Sequence, residues 1–528
     1  MLFAKNNRKI SLTPTLKWAL GYIASLLCAI GLGYFWRVFF TYNKISSLSL
    51  TLLLCAFQSV IFICIYAISH FVKSFDLRAA IAVFFLGTVF VFVTPPLQVP
   101  DENVYFMRAY SMSEGHFDFD AEREYPNDVN NLLSHFSFAW VKAHNHNPIT
   151  HTEGVADAII DYHNNIAEGT QYSVVKEPVM FMILPFIPQA VGIFIAKLLG
   201  FTALGAMYGG RLVNLLFYTA CCYFAFKNCK RYKSVFVAVA LLPLCLFIAG
   251  SNSYDAGLLG LSFFVISYYC KDKITDKDML FFYAAFAYLC AVKANNLLFL
   301  VFPLCLPPTA WKCKYKKWQS VLLALASAGA LMLCFEVYSR AFMHNYGTIA
   351  RMIDGVAPME QLKFVFSNIP RFCAITLGTL YENSFFVFDM GKFGNIDLAL
   401  PLVSGGSVVM LMLSASLSVH EKSTLNTKSS LGLFGISCTY IASVLAAMYI
   451  TYTPLYMARI IGIQPRYFLP AFLMLTILLC ALLSRVMYVK RETYKSAELL
   501  CLCCASAFAL FSVISIFQSY YIGPIAGN

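Results

Sequence analysis

Charge is scarce in this chain. Asp, Glu, Lys and Arg make up 12% of its 528 residues, against roughly 25% in an ordinary soluble domain. Hydrophobic residues reach 59% and the mean hydropathy is +0.68, which excludes a soluble globular enzyme. Cysteine is absent between Cys64 and Cys221, although the chain holds 18. That gap covers the longest polar stretch, so no disulfide framework organises it. No C-x-x-C pair has a second pair at zinc spacing, and the cysteines read as small core hydrophobes. There is no glycine-rich loop of the P-loop or dinucleotide-binding type, and neither an internal repeat nor a low-complexity tract.

Long apolar runs are abundant. They lie at 17–36, 47–72, 79–95, 178–199, 211–227, 235–250, 256–270, 279–292, 296–308, 318–338, 398–418, 431–452, 467–485 and 496–517. Several reach the ~20 residues that cross a bilayer. The chain therefore reads as an all-α polytopic membrane protein. Its basic start, MLFAKNNRKISLTPTLK, leads into a span without a cleavage signature, so the first helix is expected to be retained. The net charge of +12 lies mostly in short loops, where it sets topology; nucleic acid is not an expected partner.

Lys5, Arg8, Lys9 and Lys17 place the N-terminus in the cytoplasm, and Lys73 and Arg78 mark the next cytoplasmic turn. If 178–199 crossed, the clusters at 227–233, 312–317 and 490–495 would all fall outside. If it lies in the interface or re-enters, all three are cytoplasmic, and Pro178, Pro185 and Pro188 also weaken it as a straight span. The second choice leaves about 13 transmembrane helices. The organisation expected is three helices in 1–95, a large periplasmic segment with an interfacial helix in 96–210, a central bundle in 211–338, a second periplasmic segment in 339–397, and C-terminal helices in 398–528.

One stretch stands apart, TPPLQVPDENVYFMRAY at 94–110. Pro95 and Pro96 end a helix, and Pro100 precedes the acids Asp101 and Glu102, with Arg108 beyond them. On the parity above, Asp101, Glu102, Arg108, Arg211, Asp255, Lys293 and Arg466 all fall at one membrane face. Membrane-edge ionisable residues are candidate site residues. Against that, Arg211, Lys293 and Arg466 also suit snorkelling helix ends, Asp255 suits an N-cap, and Glu102 suits an exposed first turn. His135, His144, His146, His151 and His163 fit no standard metal spacing and read as a solvated loop.

The segment PPLQVPDENVYFMRAYSMSEGHF resembles the PP-x-Q-x-PDE-x-x-HF-x-RAY-x-x-S-x-G motif of a large bacterial family of membrane proteins, domain-of-unknown-function family 2142. IGIQPRYFLP resembles that family's second motif, GVQGRYFLP, and GRLVN fits between them. Tyr105 stands where the family usually has His, and Pro465 where it has Gly. The family is similar to the GT-C glycosyltransferases and in plan to the O-antigen Gtr-type glucosyltransferases. That resemblance implies a GT-C-like fold, a catalytic acid at the start of the first large periplasmic loop, here Asp101, and a second acid in a later turn, here Asp255. It also implies a polyprenyl-phosphate sugar donor.

The expectation is thus an inverting membrane glycosyltransferase of the bacterial inner membrane, with a periplasmic site. Asp101 acts as general base beside Glu102. Arg108, Arg211, Lys293 and Arg466 bind the donor phosphate, while Asp255, Tyr105 and Tyr467 contact sugar or acceptor. The partners are an undecaprenyl-phosphate-linked sugar, a polysaccharide or lipid-linked oligosaccharide acceptor, and the lipid bilayer. Cationic side chains can stabilise a phosphodiester leaving group, so no metal or cofactor is expected. The alternative is a transporter or flippase of a lipid-linked sugar, which would want repeats and mid-depth charges.

Overall fold

The computed structural model describes residues 71–118, 125–136, 183–342, 355–382, 386–396, 398–419, 427–486 and 497–522, with scattered positions in 19–67 and 159–164. The expected spans 17–36 and 47–72, and His144, His146 and His151, lie essentially outside these residues. The chain divides into one unit of Met1–Ala82 with Ile525–Asn528 and a second of Val83–Pro524. In the first, the Phe75 helix begins beside an Arg78 side chain turned back to the Val72 carbonyl. The second unit holds every candidate site residue.

Among its described residues, that unit's regular structure is helical apart from a hairpin of two-residue strands, Lys392–Phe393 against Leu398–Ala399, and an isolated bridge between Ile274 and Trp311. Among the described residues, five helices are long and apolar enough to cross a membrane: Phe75–Val93, Lys317–Tyr338, Thr427–Thr451, Pro465–Arg485 and Ala497–Tyr520. The protein is therefore a multi-pass all-α membrane protein. Shorter apolar helices accompany them at Leu184–Leu198, Asp255–Cys270, Ala294–Cys305 and Pro401–Leu417.

Two runs differ from their sequence reading. The stretch 235–250 is two short helices, Lys233–Ala240 and Pro243–Ala249. Pro243 supplies no N–H and sits at the first position of the second helix, where that loss is harmless. Both pieces are buried nearly throughout. The helix expected from residue 211 starts instead at Ala203 and runs to Asn228. Arg211 consequently sits inside the helix, more than two turns from its start, rather than at a snorkelling end.

The Ile187–Leu198 helix has 12 residues, about 18 Å of rise against a ~30 Å hydrocarbon core. It packs along Ala203–Asn228 through two glycines. A Cβ at Gly192 would lie 2.2 Å from the Gly209 carbonyl oxygen, and one at Gly209 would lie 2.7 Å from the Gly192 oxygen. The helices approach backbone to backbone, which any side chain there would prevent.

Within the segment 339–397, the stretch after Ala357 forms two helices, Pro358–Ser367 and Ile369–Glu382. Their outward faces carry Met359, Phe366, Ile369, Leu377 and Tyr381. Their inward faces hold the loop that leads to Arg466. The Gln361 side chain accepts from the Tyr456 N–H at 3.0 Å, and the Thr379 hydroxyl accepts from the Ile460 N–H at 3.0 Å.

Candidate functional site

The Thr94–Tyr110 stretch folds into a tight proline turn followed by the Glu102–Ser113 helix. Leu97 and Asp101 both take the left-handed conformation, with φ of 59° and 62°. A non-glycine residue there is strained, and such strain persists only where the surroundings impose it. At Asp101 the consequence is directional: the two adjacent acids point to different places.

Asp101 faces outward, its side chain 44% exposed. Its Oδ2 lies 3.0 Å from Arg466 Nη2 and accepts from the Tyr105 hydroxyl at 3.3 Å. Burial above all, with Tyr254 and Asp101 adding to it, pushes the Tyr105 phenol well above its ordinary value. Tyr105 therefore stays a donor to the carboxylate. Its ring packs edge-on against Tyr254 at 4.9 Å between centroids.

Arg466 stands in the short helical turn Pro465–Phe468 that opens the next span. It is buried, and it bridges two carboxylates. Besides Asp101, its Nε lies 2.8 Å from Asp255 Oδ2, an ion-pair contact without hydrogen-bond alignment. Asp255 Oδ1 in turn accepts from Lys293 Nζ at 2.6 Å. Asp255 is the first residue of its helix and is nearly buried, so it is a paired charge and not an N-cap. Lys293 ends the Asp276–Val292 helix and lies over the rings of Tyr254 and Tyr467, at 5.1 and 4.7 Å. Arg466 also sits 5.3 Å from the Tyr467 ring. Such placements add cation–π attraction on a desolvated site.

All of these groups but Asp101 and Tyr105 line the polar end of a ≈ 320 Å³ cavity. Tyr254, Asp255, Lys293, Asn295, Arg466 and Tyr467 line that end. Leu258, Leu259, Val444, Ala447, Met448 and Pro470 line the rest, from the helices Asp255–Ile266 and Thr427–Thr451 and the start of the Pro470 span. The cavity thus joins an apolar cleft between helices to a cluster of two acids and two bases. The structure brings together Asp101, Asp255, Lys293, Arg466, Tyr105 and Tyr467.

Three expected members are elsewhere. Glu102 is fully buried and faces Arg211, with Nε–Oε1 at 2.7 Å and Nη2–Oε2 at 2.6 Å. Arg211 also donates to the carbonyls of Val91 and Thr94 at 2.8 Å and of Pro95 at 2.9 Å. All five guanidinium N–H groups are thus engaged within the protein, leaving none for a phosphate. Glu102 is correspondingly neither an exposed first-turn residue nor a free base. Arg108 is buried and donates to the carbonyls of Asp118 at 2.8 Å and Phe117 at 3.1 Å, which closes the end of its own helix. It does not line the cavity. Of the loop histidines, His135 bonds the Asn131 carbonyl and His163 packs on Tyr162.

Sequence reading missed Tyr254, Asn252 and Asn214. Tyr254 supplies a ring between Tyr105 and Lys293. Asn214, from GRLVN, donates to the carbonyls of Ser251 and Ser253 at 2.7 and 2.8 Å. The signal was present in SNSYDAG, where three polar residues interrupt an apolar run. Among the described residues no three His, Cys, Asp or Glu side chains converge as metal ligands.

The family described as "Predicted membrane protein (DUF2142)" matches residues 84–475. The chain belongs to that family. The DUF2142 match takes in the whole constellation, from Asp101 to Arg466. Comparison with curated proteins and with solved structures gave no match.

Proposed function

We propose that this DUF2142 protein is a GT-C-type glycosyltransferase of the bacterial inner membrane. In this reading it moves a sugar from a polyprenyl-phosphate-linked donor, such as an undecaprenyl-phosphate-linked sugar, to an O-antigen-like polysaccharide or lipid-linked acceptor at the periplasmic face. The observation that carries the proposal is the outward-facing carboxylate of Asp101 paired with Arg466, which with Asp255 and Lys293 lines the polar end of an apolar interhelical cleft. A lipid tail suits the cleft, and a phosphate suits Lys293 and Arg466. Lys293 donates to Asp255 with one of its three ammonium hydrogens, so capacity for a phosphate oxygen remains.

The reaction then balances as a single displacement. The acceptor hydroxyl gives its proton to Asp101, and its oxygen bonds the anomeric carbon. The bond from that carbon to the phosphate oxygen breaks, and the electron pair leaves with the lipid phosphate. Attack opposite the leaving group inverts the centre. Asp255 holds Lys293 and Arg466 in place and keeps two acids against two bases before the donor arrives.

The membrane arrangement in this proposal has about 13 crossings, with Ile187–Leu198 in the interface. Its length and its glycine contact with the Ala203–Asn228 helix support that placement. Cysteine labelling in intact cells is expected to reach residues 110–118 from the periplasm and not residues 229–233. Labelling of both from one side would remove the arrangement.

Activity is expected to survive EDTA, because the leaving phosphate meets two cations. Loss on chelation with recovery on Mn²⁺ or Mg²⁺ would instead make Asp101 and Asp255 metal ligands. The test of the function itself is transfer from a radiolabelled undecaprenyl-phosphate sugar to envelope polysaccharide in membranes with and without the protein. Equal incorporation in both would end the proposal.

A further inference from the structure

The pair Glu102–Arg211 is absent from the cavity wall, yet it is the most completely bonded ionic group in the site region. Glu102 Oε1 accepts from Arg211 Nε and also from the Asn252 backbone N–H at 2.9 Å and side chain at 3.3 Å. Asn252 Nδ2 further reaches the Met207 carbonyl at 3.2 Å. Arg211 gathers the Val91, Thr94 and Pro95 carbonyls, where the first helix of the second unit ends and the proline turn begins. One helical turn on, Asn214 holds the carbonyls on either side of Asn252. Glu102, Arg211, Asn214 and Asn252 are all buried.

Both acids of the site hang directly on this network. Asp101 is the residue before Glu102, and its left-handed backbone is the joint between an anchored carboxylate and an exposed one. Asp255 lies three residues after Asn252, with the Ser253 hydroxyl accepting from its N–H at 3.2 Å. Arg466 contacts both acids but comes from a distant turn. Their spacing is therefore set from the far side.

We infer that Glu102, Arg211 and Asn252 are positioning residues: one buried network fixes the Asp101 and Asp255 carboxylates at the separation that Arg466 bridges. The inference rests on the proposed transfer reaction for its kinetic consequence and on geometry alone for its structural one. The network places the acceptor-activating carboxylate relative to the donor-side charges, and a misplacement of about 1 Å between reacting groups can cost about 10²-fold in rate.

Removing one partner would bury an unpaired charge and threaten folding. The decisive variant therefore replaces both at once, Glu102→Leu with Arg211→Met, since buried ion pairs are often exchanged for apolar residues of similar volume without loss of stability. Two readouts are taken on purified full-length protein. A cryo-EM structure is expected to show the Asp101–Arg466 and Asp255–Arg466 contacts opened. Steady-state transfer is expected to show kcat reduced by about 10²-fold with the donor KM changed less than about threefold. Contacts retained at 3.0 and 2.8 Å, or an unchanged kcat, would overturn the inference. If the double variant does not fold, Asn252→Ala is put through the same two measurements, and retained contacts or an unchanged kcat there overturn the inference equally. If the unaltered protein transfers no sugar, the function proposed above fails, and the structural readout still decides the positioning claim.

Discussion

Under the proposed transfer reaction, Asp101→Asn protein should bind the polyprenyl-phosphate sugar as well as the unaltered protein does, yet transfer it about 10²–10⁴-fold more slowly, the usual worth of a positioned base. Asparagine keeps the shape of the side chain and can keep the Tyr105 hydrogen bond, but it takes no proton from an acceptor hydroxyl. Because Asp101 is 44% exposed and off the core, the change should leave thermal stability nearly untouched. Single-turnover transfer measured beside equilibrium donor binding separates the steps. Normal turnover would show that another group is the base; loss of binding with turnover would favour a transporter, in which the acid holds the cargo.

Arg466→Gln should do damage of two kinds. In the proposed reaction, loss of a charge-assisted bond to the donor phosphate costs about 1.5–3 kcal/mol, or roughly 10–150-fold in donor affinity. The sequence alone, which places Arg466 at a helix end, gives an expectation that the variant keeps its thermal stability while losing transfer. The structure argues otherwise. Arg466 is buried between Asp255 and Asp101, so its removal leaves Asp255 to Lys293 for charge compensation among the described residues. The melting temperature of purified protein should therefore fall along with transfer. Arg466→Lys should restore much of the stability and little of the transfer, because an ammonium is a point charge without the planar fork that spans two acids. A Lys variant that regained full transfer would show that charge alone is used at this position.

Much of this could be read from the chain, and the failures are instructive. Charged loops and helix parity were enough to expect Asp101, Asp255, Lys293 and Arg466 at one face, because each stands at an abrupt break in an apolar run. The division of labour between Asp101 and Glu102 was not legible. Pattern reading has no means of seeing a positive φ at a residue other than glycine, and that one dihedral turns neighbouring carboxylates to opposite sides. Arg211 was misplaced for a different reason. The segment TALGAMYGG is only weakly apolar and ends in paired glycines, so it reads as a loop. Those glycines are helical because a second helix lies against them. Pro243 did announce the break within 235–250, but the surrounding hydrophobicity outweighed it in a reading by run length.

The contact between Gly192 and Gly209 bears on how genetics would read this protein. Any substitution at either glycine drives a new carbon into a carbonyl of the opposite helix, so a saturation screen for surface polysaccharide should score both as intolerant as Asp101. Neither glycine lines the cavity. A map of intolerant positions would thus draw two hot regions, one chemical and one purely steric. Second-site suppressors should tell them apart: changes that part the two helices can rescue alanine at Gly192, while no repacking elsewhere can return a missing carboxylate.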